Sequence, residues 1–413
     1  MLRPYRVLDL TDARGLLCGQ MLGDLGADVI AVEPPGGSPA RRLGPFAGDV
    51  HDPDRSLYWW AYSRNKRSIT LDVATPDGQA LLRRLAAGAD FLIESGDPGT
   101  LAALGLGAAE LAAVNPRLVY VSITPWGQDG PRAAWIDSDL VILAAGGPLI
   151  LMGDADRPPT RLPVPQAYLH AAAEAAVAAL IAHHERERSG RGQHVDVSAQ
   201  QAVALATQSY ILSVPWHAPE VGRTAGGLRN GPLTLRLLFP AADGYVAITF
   251  LFGSSIGPFS RRLMEWIHEE GECEAALRDK DWIGYTQLLL TGAEPLTEFE
   301  RVKAVVEAFT RRRTKAALLR AAVARGLLIA PVATLDEVVA SEQLAARGYW
   351  QPLAHPERDA TYRYPGPFAQ CSATPIRYRR RPPTVGEHTR EILGDELGLS
   401  ADELARLTAR GVL

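Results

Sequence analysis

The feature that most constrains this chain is the alternation of short apolar strands with helices through its first third. Residues 5–10 (YRVLDL) read as a strand. Residues 16–25 have helical spacing and run into Gly26, which suits a helix C-terminus. Residues 28–32 (DVIAV) form the next strand, closed by Glu33, Pro34 and Pro35. The pattern then repeats: strand 68–71, helix 76–87 with Asp77 in its first turn, strand 91–94, helix around 101–114, strand 118–123. Strand–helix–strand units pair in parallel through right-handed crossovers. Several in succession predict a doubly wound α/β sheet that receives ligands at the C-terminal ends of its strands.

The remainder has a different texture. At 413 residues the chain is long enough for two or three domains. Residues 167–184 predict an alanine-rich buried helix, 183–191 a charged run, and 195–203 renewed apolar periodicity. The Gly/Pro-rich stretch 217–233 reads as a boundary loop. A strand is expected at 245–252, and 256–326 read as amphipathic helices of a smaller, mainly helical domain. After Gly326 come a strand-like LLIAPVATL, a helix at 336–347 and short strands across 352–381. A last helix at 400–410 opens with a Ser400 to Glu403 capping box. With 43 basic and 47 acidic residues the net charge is −4, so neither nucleic acid nor a membrane surface is an expected partner. No apolar run approaches a membrane span and no signal-peptide core is seen. Cys18, Cys273 and Cys371 are far apart in no metal or disulfide pattern, which suits a reducing cytoplasm.

Two basic loops stand out at the sheet. VEPPGGSPARR (32–42) leaves a strand and presents Arg41 and Arg42; SRNKRSITLD (63–72) adds Arg64, Lys66 and Arg67. Such groups suit phosphate oxygens, although a solvated turn accounts for the first loop equally well. There is no GxxxxGK[ST] and no GxGxxG after the first strand, which weakens nucleotide readings. His183, His184 and His194 suggest a metal cluster, but adjacent helical residues point about 100° apart, so no metal site is expected. No GxSxG elbow marks a hydrolase.

At residues 8–42 (LDLTDARGLLCGQMLGDLGADVIAVEPPGGSPARR), NKRSITLD, NPRLVYVSITPWGQDGP (115–131) and SGRGQHVDVS (189–198), the chain resembles family III CoA-transferases. APVATLDEVVASEQLAARGYW (330–350), PGPFAQCSATP (365–375) and GEHTREIL (386–393) extend the resemblance nearly end to end. That family includes formyl-CoA transferase, carnitine CoA-transferase and α-methylacyl-CoA racemase. The resemblance implies an α/β fold: a Rossmann-like large domain from residues 1–210 and 331–413, a linker and smaller α+β domain from 211–330, and an interlocked-ring dimer. CoA or acyl-CoA would be a substrate, with no tightly bound cofactor. Arg41, Arg42, Lys66, Arg67, Leu71, Asp72 and Asp139 are the expected CoA-binding residues, and Gly226, Gly227 and Gly231 the expected glycine loop.

In the chemistry that the resemblance implies, a carboxylate attacks the thioester and gives a mixed anhydride. CoA then returns to form an enzyme thioester, from which the acceptor acid collects it. The nucleophile is an aspartate in a motif like VPxADxxAG. Here the stretch is VPQAYLH (164–170), and Tyr168 stands at the aspartate position. A phenol of pKa about 10 is a poor substitute for an ionised carboxylate. Glu174, six residues on, is rotated about 240° away on a helix. Ala13, Arg14 and Ala74 also depart from the family pattern, as does Glu94-Ser95-Gly96-Asp97 for an ENFRPG-like loop. Ser138 replaces the racemase histidine, so an α-carbon acid/base pair is missing. Three readings remain open: a non-nucleophilic subunit paired with an active paralogue, like the subunit of that type in benzylsuccinate CoA-transferase; a homomeric acyl-CoA lyase, hydrolase or isomerase using Tyr168 and His170; and a non-enzymatic binding protein.

Overall fold

The computed structural model describes residues 1–212, 222–230 and 233–413. Their contacts divide into two units: 1–148, 162–207 and 343–413 in the first, and 149–161 with 208–342 in the second.

The first unit is built on six parallel strands. In chain order its elements are β1 (Arg6–Leu10), α1 (Leu16–Asp24), β2 (Asp28–Glu33), α2 (Leu57–Tyr62), β3 (Lys66–Thr70), α3 (Pro76–Ala87) and β4 (Phe91–Glu94). Then follow α4 (Thr100–Ala103), α5 (Ala108–Val114), β5 (Val119–Thr124), α6 (Asp139–Gly146), α7 (Ala167–Ser189), β6 (His194–Ser198) and α8 (Ala199–Leu205). The strand order is β3-β2-β1-β4-β5-β6. A sheet covered on both faces needs strands without polar alternation, and β4 (FLIE) and β5 (VYVSIT) are buried at every position. One face packs on α3, α5 and the C-terminal helical segments through Leu82, Leu111, Ile392, Leu393 and Leu407. On the other face α7 runs along α1, β5 and β6; its buried positions are nearly all alanine, which lets the helix sit close.

Buried charges fix the strands beside β1. Lys66 Nζ lies 2.8 Å from Asp9 Oδ2 and donates to the Leu16 carbonyl at 2.9 Å. Arg64 pairs with Asp24 at 2.7 Å. The chain end returns across this region: Asn65, held at φ +63°, accepts from the Arg379 and Arg380 amides through its side-chain oxygen and donates to Asp24 and the Arg377 carbonyl. Asparagine tolerates the left-handed conformation better than most side chains.

The expected strands of the first third are present, with the strand predicted at 68–71 starting at Lys66, but the one helix expected around 101–114 is two, α4 and α5, broken at Gly105, which sits at φ +67°. The apolar stretch 195–203 is a strand followed by a helix. Ser198 caps α8 at the junction, so one run of apolar residues serves two periods. The second unit carries a three-stranded antiparallel sheet (Leu238–Ala241, Gly244–Ile248, Ile329–Pro331) packed on helices Gly257–Glu269, Leu296–Arg311 and Lys315–Arg325. Ile329–Pro331 pairs inside this sheet, and Lys315 binds Glu337 at 2.6 Å. The first unit resumes at residue 343.

Candidate active site at the sheet switch point

The strand order reverses direction between β1 and β4, and the crevice beyond their C-terminal ends is where open α/β sheets bind ligands. The loops leaving these strands are tied together. Ser95 Oγ donates to Asp12 Oδ1 at 2.9 Å and accepts the Asp12 amide at 3.0 Å. Glu94, buried at the end of β4, turns the second loop by accepting the Gly96 amide at 2.7 Å; burial raises its carboxyl above the ordinary range. Arg14 bridges the loops, 3.0 Å from Asp12 and 3.3 Å from Asp97. The charge of Asp97 is thus answered by a residue of the same crevice.

Helix α7 starts at this crevice. Asp139, at the first turn of α6, accepts both the Gln166 and Ala167 amides at 2.7 Å through Oδ1. These amides belong to the donors that a helix leaves unpaired at its start, so the positive end of α7 is already engaged by a carboxylate. Asp139 Oδ2 is buried without a hydrogen-bond partner. One residue into the helix, the half-buried Tyr168 donates its hydroxyl to Asp137 Oδ2. Burial, then the hydrogen bond and charge of Asp137, hold the phenol far above its ordinary value; Arg14 opposes and Asp12 reinforces the shift. Tyr58 donates to the Ala13 carbonyl at 3.2 Å and is pushed up to about 12 by burial, with Tyr62, Asp12 and Asp139 adding to it. The group is rich in protonated hydroxyls and in acids, with Arg14 as its cation.

The other predicted site residues are placed differently. Arg41 is fully buried, 2.5 Å from Glu33 and 2.8 Å from Asp54, stacked 3.8 Å from the centre of the Trp59 ring and donating to the Pro383 carbonyl. Gly37, at φ +88°, lets the turn fold Arg41 back; a Cβ there would lie 2.8 Å from Arg41 Cδ. Its donors serve Glu33, Asp54 and the Pro383 carbonyl. Lys66 is likewise consumed by Asp9 and Leu16. Arg67 is consumed by Asp28, Glu391 and Glu396, and Leu71 is 2% exposed in the core. Arg42 is exposed, and Asp72 turns the chain by accepting the Ala74 amide. His170 is exposed, two residues from Tyr168 on the helix, and Glu174 is half-buried. Gly226 and Gly227 form a tight turn within the second unit, where Thr224 Oγ1 donates to the Gly227 carbonyl at 2.6 Å. Gly231 lies outside the described residues. His183 meets Arg186 and His194 meets Ser122, and among the described residues no group of acids, cysteines and histidines could hold a metal.

Asp137 and Asp12 were not singled out in the sequence. The IDSDL stretch contains two acids, of which only Asp139 matches a family pattern; Asp137 becomes visible once α7 is placed.

The model of CoA-transferase family III matches residues 2–389. The chain belongs to this family. CoA thioesters are the substrates of such transferases. It is 38% identical to the succinyl-CoA:(R)-benzylsuccinate CoA-transferase subunit BbsE of Thauera aromatica, over 99% of this chain and 97% of that one. It is 34% identical to the succinyl-CoA–D-citramalate CoA-transferase of Chloroflexus aurantiacus, again over 99% and 97%. A CaiB/BaiF family protein from Brucella suis shares the fold with a TM-score of 0.79 and 27% identity, over 95% of this chain and 98% of that one. The expected family and fold class are borne out. No helix among the described residues is long and apolar enough to cross a membrane.

Proposed function

We propose that this chain is the non-nucleophilic subunit of a two-subunit family III CoA-transferase, and that the enzyme moves CoA from a donor such as succinyl-CoA to an organic acid. The observation that carries the proposal is Tyr168. At the position where the family places its aspartate, the chain presents a phenol that donates to Asp137 and is held protonated by burial and by that acid. A protonated phenol has no lone pair of carboxylate strength with which to open a thioester. A paralogous partner would supply the aspartate. There the carboxylate attacks the thioester carbonyl and expels CoA thiolate, leaving a mixed anhydride; the thiolate attacks the aspartyl carbonyl and expels the donor acid. The acceptor carboxylate then attacks the enzyme thioester, and the thiolate it releases attacks the acceptor carbonyl of the second anhydride, which forms the new CoA thioester and frees the aspartate.

Two further observations support a paired arrangement. BbsE bears the name of a subunit. The surface around α6 to α8 exposes Trp135, Ile136, Leu140, Val141, Val177, Ile181 and Leu205, with Ile136 93% exposed. Exposed apolar residues on neighbouring elements mark an interaction surface. An interlocked ring with the paralogue, or with a second copy, would cover it. A homomeric enzyme using Tyr168 and His170 gains no support from the geometry, since Asp137 and not His170 meets the tyrosine.

The test is CoA exchange, measured for the purified chain alone and after co-expression with a relative that retains the aspartate. Exchange is expected only from the pair, and Tyr168→Phe should leave the pair's turnover within about twofold. Tyr168→Asp should not make the chain active alone, because Asp12, Asp137 and Asp139 crowd the new carboxylate. Turnover by the lone chain, abolished by Tyr168→Phe, would overturn the proposal.

A further inference from the structure

At the N-terminal ends of β2 and β3, across the sheet from the switch point, a cavity of about 430 Å³ is lined by Arg3, Gly26, Ala27, Asp28, Asn65, Arg67, Arg379 and Arg380. A second cavity, of about 330 Å³, shares Arg3, Gly26 and Arg379 and adds Arg377 and Asp24. The acids in these walls are committed. Asp24 binds Arg64 and Asn65, and Asp28 binds Arg6 and Arg67. Glu391 and Glu396 complete the shell of Arg67.

Four arginines are left in surplus. Among the described residues Arg3, Arg377, Arg379 and Arg380 have no carboxylate in salt-bridge contact. Arg379 rests on the Gly23, Gly26 and Ala27 carbonyls at 2.7 to 3.3 Å, and Arg380 on His388 at 3.3 Å. All four are exposed, and for Arg379 the partial withdrawal from water and the like charges of Arg3 and Arg380 outweigh Asp24 and Asp28, which pull the other way. Concentrating like charge in this way costs free energy that a bound anion would recover. The concentration is also built rather than incidental. Asn65 takes the left-handed conformation and accepts the amides of Arg379 and Arg380, so consecutive arginines are delivered to the rim.

We infer that this arginine-lined cavity is a second anion site, separate from the switch-point crevice, that takes a compact multiply charged phosphate such as a diphosphate. Guanidinium forks match phosphate oxygens, and a cavity of this size admits two linked phosphates but limits a larger ligand. The inference does not depend on the role of Tyr168.

Calorimetric titration of the full-length chain with inorganic pyrophosphate tests it. Stoichiometric binding that weakens as salt is added is expected. The exposed pair Arg3→Gln with Arg380→Gln should weaken binding by about tenfold or more, whereas Arg14→Gln, in the crevice, should not change it. Tighter binding of ADP than of pyrophosphate would assign the site to nucleotide diphosphates; equal binding would assign it to the free anion. Absence of binding, insensitivity to the Arg3/Arg380 pair, or loss in the Arg14 variant would each overturn the inference.

Discussion

At Tyr168 two influences act together: withdrawal from water and a hydrogen bond offered to an acid. Both favour the neutral phenol. Replacing Asp137 with Asn removes the acid's charge and leaves both the burial and an acceptor oxygen. Ultraviolet titration of Asp137→Asn should move the Tyr168 midpoint down towards the ordinary phenol value without reaching it; an unmoved midpoint would mean that the contact is electrostatically idle. The departure proposed at Tyr168 was readable from the sequence, because Val164, Pro165, Ala167 and Ala171 match the family motif around it. Its partner was not, since Asp137 lies outside any motif and meets Tyr168 only through the fold. Arg41 shows the converse difficulty. A basic residue in a glycine turn after a strand looks like a ligand contact, and nothing in the local sequence tells that Glu33 and Trp59 have already taken it.

The elements of the first unit were the most legible, because strand–helix alternation repeats and each turn carries Gly, Pro or a cap. What periodicity could not reveal is which acid holds which helix. Asp139 belongs to α6 yet satisfies the first amides of α7. Loss of a capping acceptor costs about 0.5–2 kcal/mol. Asp139→Ala should therefore lower stability in chemical denaturation by about 1–2 kcal/mol, and Asp139→Asn, which keeps an acceptor oxygen, by less. Equal losses would point to the charge and not the hydrogen bonds. The second unit was less legible. Its strands are only three to five residues long, and Ile329–Pro331 sits between helices in sequence while pairing with Gly244–Ile248 in space.

For the molecule as a whole, two outcomes are expected. His355 and His388 are held below their ordinary values by burial. Depressed histidines are neutral in the fold, so the unfolded chain binds more protons as acid is added. Their contribution is present above about pH 6.5, the unfolded value, and is lost as pH falls towards the folded values. Urea midpoints should thus decline between about pH 7.5 and about pH 5.5; a flat profile would remove the histidines from the account. Val177→Glu with Ile181→Glu places two charges on the exposed flank of α7, and light scattering should then report loss of the proposed pairing, or of self-association. Retained assembly would exclude this flank from the contact. The clasp of Asn65 on residues 377–380, together with the cover that Ile392, Leu393 and Leu407 give the sheet, bears on synthesis. A ribosome releases the first six strands long before the tail that closes over them. During that interval the nascent sheet is open along one flank, and the burial of that flank waits on the last residues to be made.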